Sequence, residues 1–228
     1  NGHAAHVRQA RQEETWPELR RVTPVSESWG FDRGLAVDRY YIEKFLRAHA
    51  VDIRGHVLEI EEPMYTTKFG GERVTATDVL HVVEGNPHAT IVADLACADQ
   101  IPSDTFDCIV LTQTLQLIYD TRAAIRTLHR ILKPQGVLLA TFPGITRISH
   151  TEWRGSWFWS FTTASARRLF EETFTAANLM VEAHGNVLVA IGFLHGLAAE
   201  DLKKDELETR DQNYEVLITL RAVKAHAP

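Results

Sequence analysis

The chain has 228 residues, 45% of them hydrophobic, a formal net charge of -6 and two cysteines. That length suffices for one well-cored α/β domain with an added arm. The negative balance argues against a nucleic-acid polyanion as main partner, and no apolar run approaches the roughly 20 residues of a membrane span.

Residues 1–24 are polar and lack a strong apolar period, so they read as an N-terminal arm ahead of a single domain over 25–228. Trp29-Gly30-Phe31-Asp32-Arg33-Gly34 reads as a turn with two aromatics. Tyr41, Phe45 and Leu46 then recur at helical spacing over 38–49, with Asp38 as a candidate N-cap. Short, apolar, β-branched runs predict strands over 56–61, 73–79, 90–94, 106–112 and 136–142, of the kind covered on both faces. Between the last two, Ala124, Ile125, Leu128, Ile131 and Leu132 share one face of a helix over 121–132 capped by Asp120. Lys133-Pro134-Gln135-Gly136 ends that helix. A tryptophan-rich loop follows, then a helix over 163–174. Strands over 179–183 and 215–223 close the pattern, separated by an apolar helix-like stretch over 187–202. The alternation predicts a Rossmann-like α/β fold: a doubly wound, mostly parallel, seven-stranded sheet with helices on both faces.

His56-Val57-Leu58-Glu59-Ile60 reads as a buried strand ending in an acid. In a dinucleotide- or adenosyl-binding fold a glycine-rich turn should follow, because glycine permits the tight bend and a close ligand approach. Here Glu61-Glu62-Pro63-Met64-Tyr65 follows instead, and glycine returns only at Gly70-Gly71. Glu59 and Asp78 stand about 20 residues apart, the spacing at which an acid on the next strand meets a ribose hydroxyl. Asp94, at the end of the third strand, is placed to accept from an adenine amino group. Each acid has a plainer reading as a turn former or cap, and Glu59 as an anchor for amides of the neighbouring loop.

Four segments resemble the class I S-adenosylmethionine-dependent methyltransferases, nearest their type-11-like small-molecule branch. They are Val57-Leu58-Glu59-Ile60, Val74-Thr75-Ala76-Thr77-Asp78, Ala93-Asp94-Leu95, and Phe106-Asp107-Cys108-Ile109-Val110-Leu111-Thr112-Gln113-Thr114-Leu115-Gln116 with the later Leu132-Lys133-Pro134-Gln135-Gly136. The chain departs from the family pattern at Glu61, where the first motif glycine belongs, and at Gln135, where a turn glycine belongs. The resemblance implies S-adenosyl-L-methionine as cofactor and S-adenosyl-L-homocysteine as product. It implies cofactor contacts from Glu59, Glu61, Tyr65, Asp78, Val79, Asp94, Leu95, Thr112 and Gln113. The cofactor's amino-acid tail needs acceptors for its ammonium and donors for its carboxylate. Glu61 or the loop backbone suits the first, and Tyr65, Thr66 or Lys68 the second.

The aromatic loop after the fifth strand suits an acceptor that is flat or sugar-like. Trp153, Trp157 and Trp159 are its candidate contacts, with Arg33, Arg39 and Tyr40 as an N-terminal lid. Trp157 and Phe161 also read as core. His150 is the candidate general base, since its pKa suits removal of a hydroxyl proton near neutral pH. His81, just past the second strand, reads equally as an adenosine contact or a surface residue. The leading expectation is methyl transfer to a small-molecule acceptor, an O-methylation of a secondary metabolite or sugar-containing precursor in natural product biosynthesis. The alternatives are a cyclase or rearrangement enzyme on the same fold, or a non-catalytic partner subunit that keeps it. No metal, nucleic acid or membrane partner is expected, and a homodimer stays open. The thiols of Cys97 and Cys108 read as reduced, and with no visible secretory signal the expected location is cytoplasmic.

Overall fold

A computed structural model describes residues 21–149 and 154–226. The expected seven-stranded sheet is present, in the order β3-β2-β1-β4-β5-β7-β6. Its strands are β1 (Gly55–Ile60), β2 (Val74–His81), β3 (Ile91–Val92), β4 (Phe106–Thr112), β5 (Leu132–Pro143), β6 (Leu179–His184) and β7 (Leu217–Val223). The pairs β1–β2, β1–β4, β2–β3 and β4–β5 are parallel, and β7 lies antiparallel to both β5 and β6.

The helices divide between the two faces, as strands apolar on both sides require. They are α1 (Val37–Ala48), α2 (Thr121–Ile131), α3 (Thr163–Glu171), α4 (Val187–Leu194) and α5 (Lys204–Glu208). Helices α2 and α3 pack Ile125, Leu128 and Phe170 onto Leu58, Ile109, Leu138 and Leu220. On the other face, α1, α4 and α5 pack Tyr41, Ile42, Phe193 and Leu207 onto Val57, Val110, Leu139 and Leu217. Asp120 caps α2 as expected, its carboxylate accepting from the N–H of Ala123 at 2.9 Å.

Several boundaries are corrected. Helix α1 starts after Ala36, and Asp38 sits in its first turn without capping it. Strand β2 continues past Asp78, because its ladder with β1 pairs Glu59 with Val79 and Ile60 with Leu80. Leu132 opens β5 rather than closing the helix, and the stretch predicted helical over 187–202 breaks at Leu194. Between β1 and β2 the crossover holds a π-helical turn, Thr66–Gly70, and a 3-10 turn, Gly71–Arg73.

Candidate active site

Ligands of open parallel sheets sit outside the carboxyl ends of the strands. A cavity of about 1080 Å³ lies there, with walls from the ends of β1, β2 and β4, the loop after β3, the start of α1 and the aromatic loop. Among the described residues its ionisable lining is acidic, with Asp38, Glu59, Glu61, Glu62, Asp94 and Asp120 against Arg39. Low-dielectric walls carrying one sign of charge favour a cationic ligand.

At the end of β1 the missing glycines are replaced by a different construction. Glu61 has φ +74°, the left-handed conformation a glycine would supply. Its N–H donates to the carbonyl of Leu80 at 3.1 Å, and its own carbonyl accepts from Asn86 Nδ2 at 2.7 Å. The bend is kept although the residue type is not. Glu59 is 3% exposed, and its carboxylate accepts from the N–H groups of Tyr65 at 2.9 Å and Thr66 at 2.7 Å. Burial raises its pKa, and the hydrogen bonds of Thr66 and Tyr65 hold it back in part. Glu59 therefore ties down the altered loop as well as lining the cavity.

That loop presents Tyr65 to the cavity. The Tyr65 hydroxyl is buried, with Arg39 as the side chain that interacts with it. Arg39, from the first turn of α1, lines the same wall and interacts with Tyr65 and Glu61. Burial raises the pKa of the neighbouring Asp38 carboxyl, against the pull of Arg39. Lys68, also weighed for a carboxylate, pairs instead with Glu43 at 2.6 Å.

Asp78 does not stand at a strand end. It binds His56 Nε2 at 2.7 Å and the Thr90 hydroxyl at 2.6 Å, inside β2 and away from the cavity lining. Val79 is also absent from that lining; its N–H is bonded to the Thr90 hydroxyl at 2.9 Å. The residue that ends β2 and lines the cavity is His81. Its Nδ1 lies 2.7 Å from the carbonyl of Val83, which makes Nδ1 the donor and leaves Nε2 an acceptor in the neutral ring. Asp94 and Leu95 both line the cavity. Asp94 also shapes its own turn, one carboxylate oxygen accepting from the N–H of Ala96 at 2.8 Å.

Thr112 and Gln113 end β4 at the cavity, and Gln113 is itself left-handed, with φ +48°. Gln116, at the end of the fourth motif segment, is 2% exposed and lines the cavity. Its Nε2 donates to the carbonyl of Gln113 at 2.8 Å, which leaves Oε1 buried without a partner. Trp157 lines the same cavity, and its indole N–H is likewise buried without a partner. Trp29 and Phe31 complete the rim, with the guanidinium of Arg147 held 4.1 Å over the Trp29 ring.

The other candidate contacts fall elsewhere. Arg33 forms a bidentate pair with Asp201 at 2.7 and 2.8 Å, and the Tyr40 hydroxyl bonds Glu208 at 2.5 Å. Neither lines the cavity: they tie the start of the chain to its last third, so the lid expected of them is corrected to a structural tether. Trp159 lines an adjoining pocket instead. His150 and Trp153 lie outside the described residues. Sequence patterning had no means of finding Gln116 or ranking Arg39, because their significance comes from burial beside the cavity, which no local spacing encodes.

Comparison with known proteins agrees with this architecture. A family described as a methyltransferase domain matches residues 47–140. Among solved structures, a phosphoethanolamine N-methyltransferase 2 of Haemonchus contortus in complex with S-adenosyl-L-methionine superposes with a TM-score of 0.57 at 15% identity, over 87% of this chain and 56% of that one. An S-adenosylmethionine-dependent methyltransferase from Archaeoglobus fulgidus gives a TM-score of 0.55 at 10% identity, over 82% and 94%. The [4+2]-cyclase SpnF gives 0.52 at 16% identity, over 86% and 84%. No curated protein sequence matches the chain. Residues 47–140 thus match the methyltransferase-domain family, on a fold that the chain shares with solved S-adenosylmethionine-dependent methyltransferases.

Proposed function

We propose that this enzyme transfers a methyl group from S-adenosyl-L-methionine to an oxygen of a small-molecule acceptor, a secondary metabolite or sugar-containing precursor. The observation that carries this reading is the left-handed Glu61, which keeps the strand-end turn open without its glycine. The cofactor supplies an electrophilic methyl on a sulfonium. Its amino-acid tail needs donors beside acceptors. The Tyr65 hydroxyl with Arg39 is such a donor set, and Glu61 with Glu62 such an acceptor set, all on one cavity. His81 Nε2 is the acceptor proposed for a ribose hydroxyl, in place of Asp78. Asp94 and Leu95 are proposed for the adenine, and Thr112 and Gln113 for the wall beside the methyl. The acidic lining favours the cationic cofactor over its neutral product.

The acceptor side supports an oxygen nucleophile. Gln116 Oε1 is a buried acceptor and Trp157 Nε1 a buried donor, both without partners. A hydroxyl can give to one and accept from the other. In-line displacement then depends on holding that oxygen in place, with His150 proposed as the base that takes its proton. We place the reaction in a reducing cytoplasm, in keeping with the free Cys97 and Cys108. No helix among the described residues is long and apolar enough to cross a membrane. Calorimetric titration with S-adenosylmethionine and S-adenosylhomocysteine tests the reading. Saturable binding of both, tighter for the first, is expected, and no binding at millimolar ligand refutes it. Transfer of labelled methyl into hydroxylated acceptors then separates methylation from a rearrangement on the same fold.

A further inference from the structure

We infer that the pocket beside the main cavity is a second ring subsite, and that the acceptor is a glycoside of at least two linked sugar rings. The inference rests on the methyl-transfer reading for what occupies the main cavity. The second pocket holds about 560 Å³. Tyr119 and Asp120 line both spaces, so the two are neighbours across one shared wall.

That wall is aromatic and exposed. Tyr119 is 71% exposed, Phe158 45% and Trp159 39%. The rings of Tyr119 and Trp159 stack with centroids 5.8 Å apart, and Phe158 meets Tyr119 edge-on at 5.3 Å. Contiguous rings left in water are unfavourable unless something covers them. The platform is also held in place before any ligand arrives. Trp159 Nε1 donates to the carbonyl of Ile118 at 3.0 Å, and the N–H groups of Phe158 and Trp159 converge on the carbonyl of Gln116 at 2.8 and 3.3 Å. Gln116 is the same residue whose side chain faces the main cavity, so one residue positions both subsites.

Polar groups complete the pocket. Asp120, Ser160, Ser165 and Arg168 line it beside the rings. A pyranose has an apolar C–H face, which stacks on an aromatic ring, and an equatorial belt of hydroxyls that both donate and accept. A carboxylate and a guanidinium lining the same pocket as exposed rings match that division. A phosphate would meet the Asp120 carboxylate, and the Arg122 guanidinium that also lines the pocket is already paired with Glu172. One sugar ring in the main cavity, its hydroxyl at Gln116 and Trp157, places the next over Tyr119.

The test uses the wild-type protein with and without saturating S-adenosylhomocysteine. The probes are methyl glycosides of gluco, galacto, manno and rhamno configuration, and disaccharides built from them, read by saturation-transfer NMR. Disaccharides are expected to bind more tightly than single rings. Tyr119→Ala and Trp159→Ala should each weaken disaccharide binding by about tenfold, the scale of one lost stacking contact. Trp159→Phe should restore most of it, and Trp159→Ala, outside the main cavity, should leave affinity for S-adenosylhomocysteine within about twofold of wild type. Absence of disaccharide binding, or binding that ignores both alanine variants, overturns the inference. Disaccharide binding in a protein that fails to bind S-adenosylhomocysteine upholds the pocket and removes the methyl-transfer reading instead.

Discussion

The side-chain amide of Asn86 donates to the carbonyl oxygen of Glu61 at 2.7 Å, and so holds a non-glycine residue at φ +74°. Left-handed backbone costs an L-residue about 1–2 kcal/mol. Glycine would remove that strain but bring about 0.5–1 kcal/mol of extra chain entropy. Glu61→Gly should therefore leave the melting temperature unchanged or slightly raised. Its carboxylate is a different matter. If it accepts the cofactor ammonium, Glu61→Gly weakens S-adenosylmethionine binding several-fold, a loss comparable to one charged hydrogen bond. Tighter binding in calorimetry would show that Glu61 repels the ligand.

Glu59 has two backbone donors on one buried carboxylate. Glu59→Gln keeps one acceptor and turns an N–H toward the other donor. One buried backbone N–H loses its partner, at a cost of about 1–3 kcal/mol. Urea denaturation should show that loss. Cofactor affinity should fall with it, because the freed segment carries Tyr65. A variant of wild-type stability would mean that the loop is held by something other than Glu59.

Gln135 has φ +66° at the second position where the family pattern has glycine. It is exposed, and its N–H donates to the carbonyl of Lys224 at 2.9 Å, a bond any residue keeps. It lies far along the sheet from the strand ends that form the cavity. Gln135→Gly should raise the urea midpoint by an amount equivalent to up to about 1 kcal/mol, with cofactor binding unchanged. A lowered midpoint would mean that glycine's entropy outweighs the strain.

These two positions show what the sequence could and could not disclose. The parallel core was legible because runs such as Val57-Leu58 and Cys108-Ile109-Val110-Leu111 are apolar on both faces, which only a covered strand requires. Glu61 and Gln135 looked like damage because residue preference stands in for conformation, whereas the fold retained the conformation and changed the residue. Asp78 was misplaced for a different reason. Leu80 and His81 read no differently from a loop, and only the ladder with β1 makes them strand. Gln116 and Arg39 depend on what surrounds them in three dimensions.

Gln116 gives a prediction in which stability and activity part company. Its buried Oε1 lacks a partner, and an unsatisfied buried acceptor costs about 1–3 kcal/mol. Gln116→Met fills similar volume without that atom, and it forgoes the bond from Nε2 to the Gln113 carbonyl. The two changes nearly cancel, so thermal stability should stay within about 1 kcal/mol of wild type. Methyl transfer should drop sharply, with the cofactor's dissociation constant unchanged. Full turnover in Gln116→Met would remove this residue from acceptor binding.

His184 should make the fold sensitive to acid. Its ring stacks on Tyr41 with centroids 5.4 Å apart, and Nε2 lies 3.0 Å from the Thr219 hydroxyl. Its pKa is lowered to about 4, chiefly by burial and then by Arg210 and Lys44, against the pull of Glu182 and Glu208. An unfolded histidine titrates near 6.5. Between these values the unfolded chain binds the proton and the folded chain does not, so stability rises with pH through that window. The neutral ring's contribution is complete above about pH 6.5 and is lost as pH falls toward 4, a change on the order of 2–3 kcal/mol. Urea midpoints measured at pH 7 and pH 5 should fall with acidification in the wild type. His184→Gln, which retains an amide for Thr219 but cannot titrate, should show a much smaller decline. An equal decline in both proteins would assign the acid sensitivity to His49 and His129, whose pKa burial also lowers, rather than to this ring.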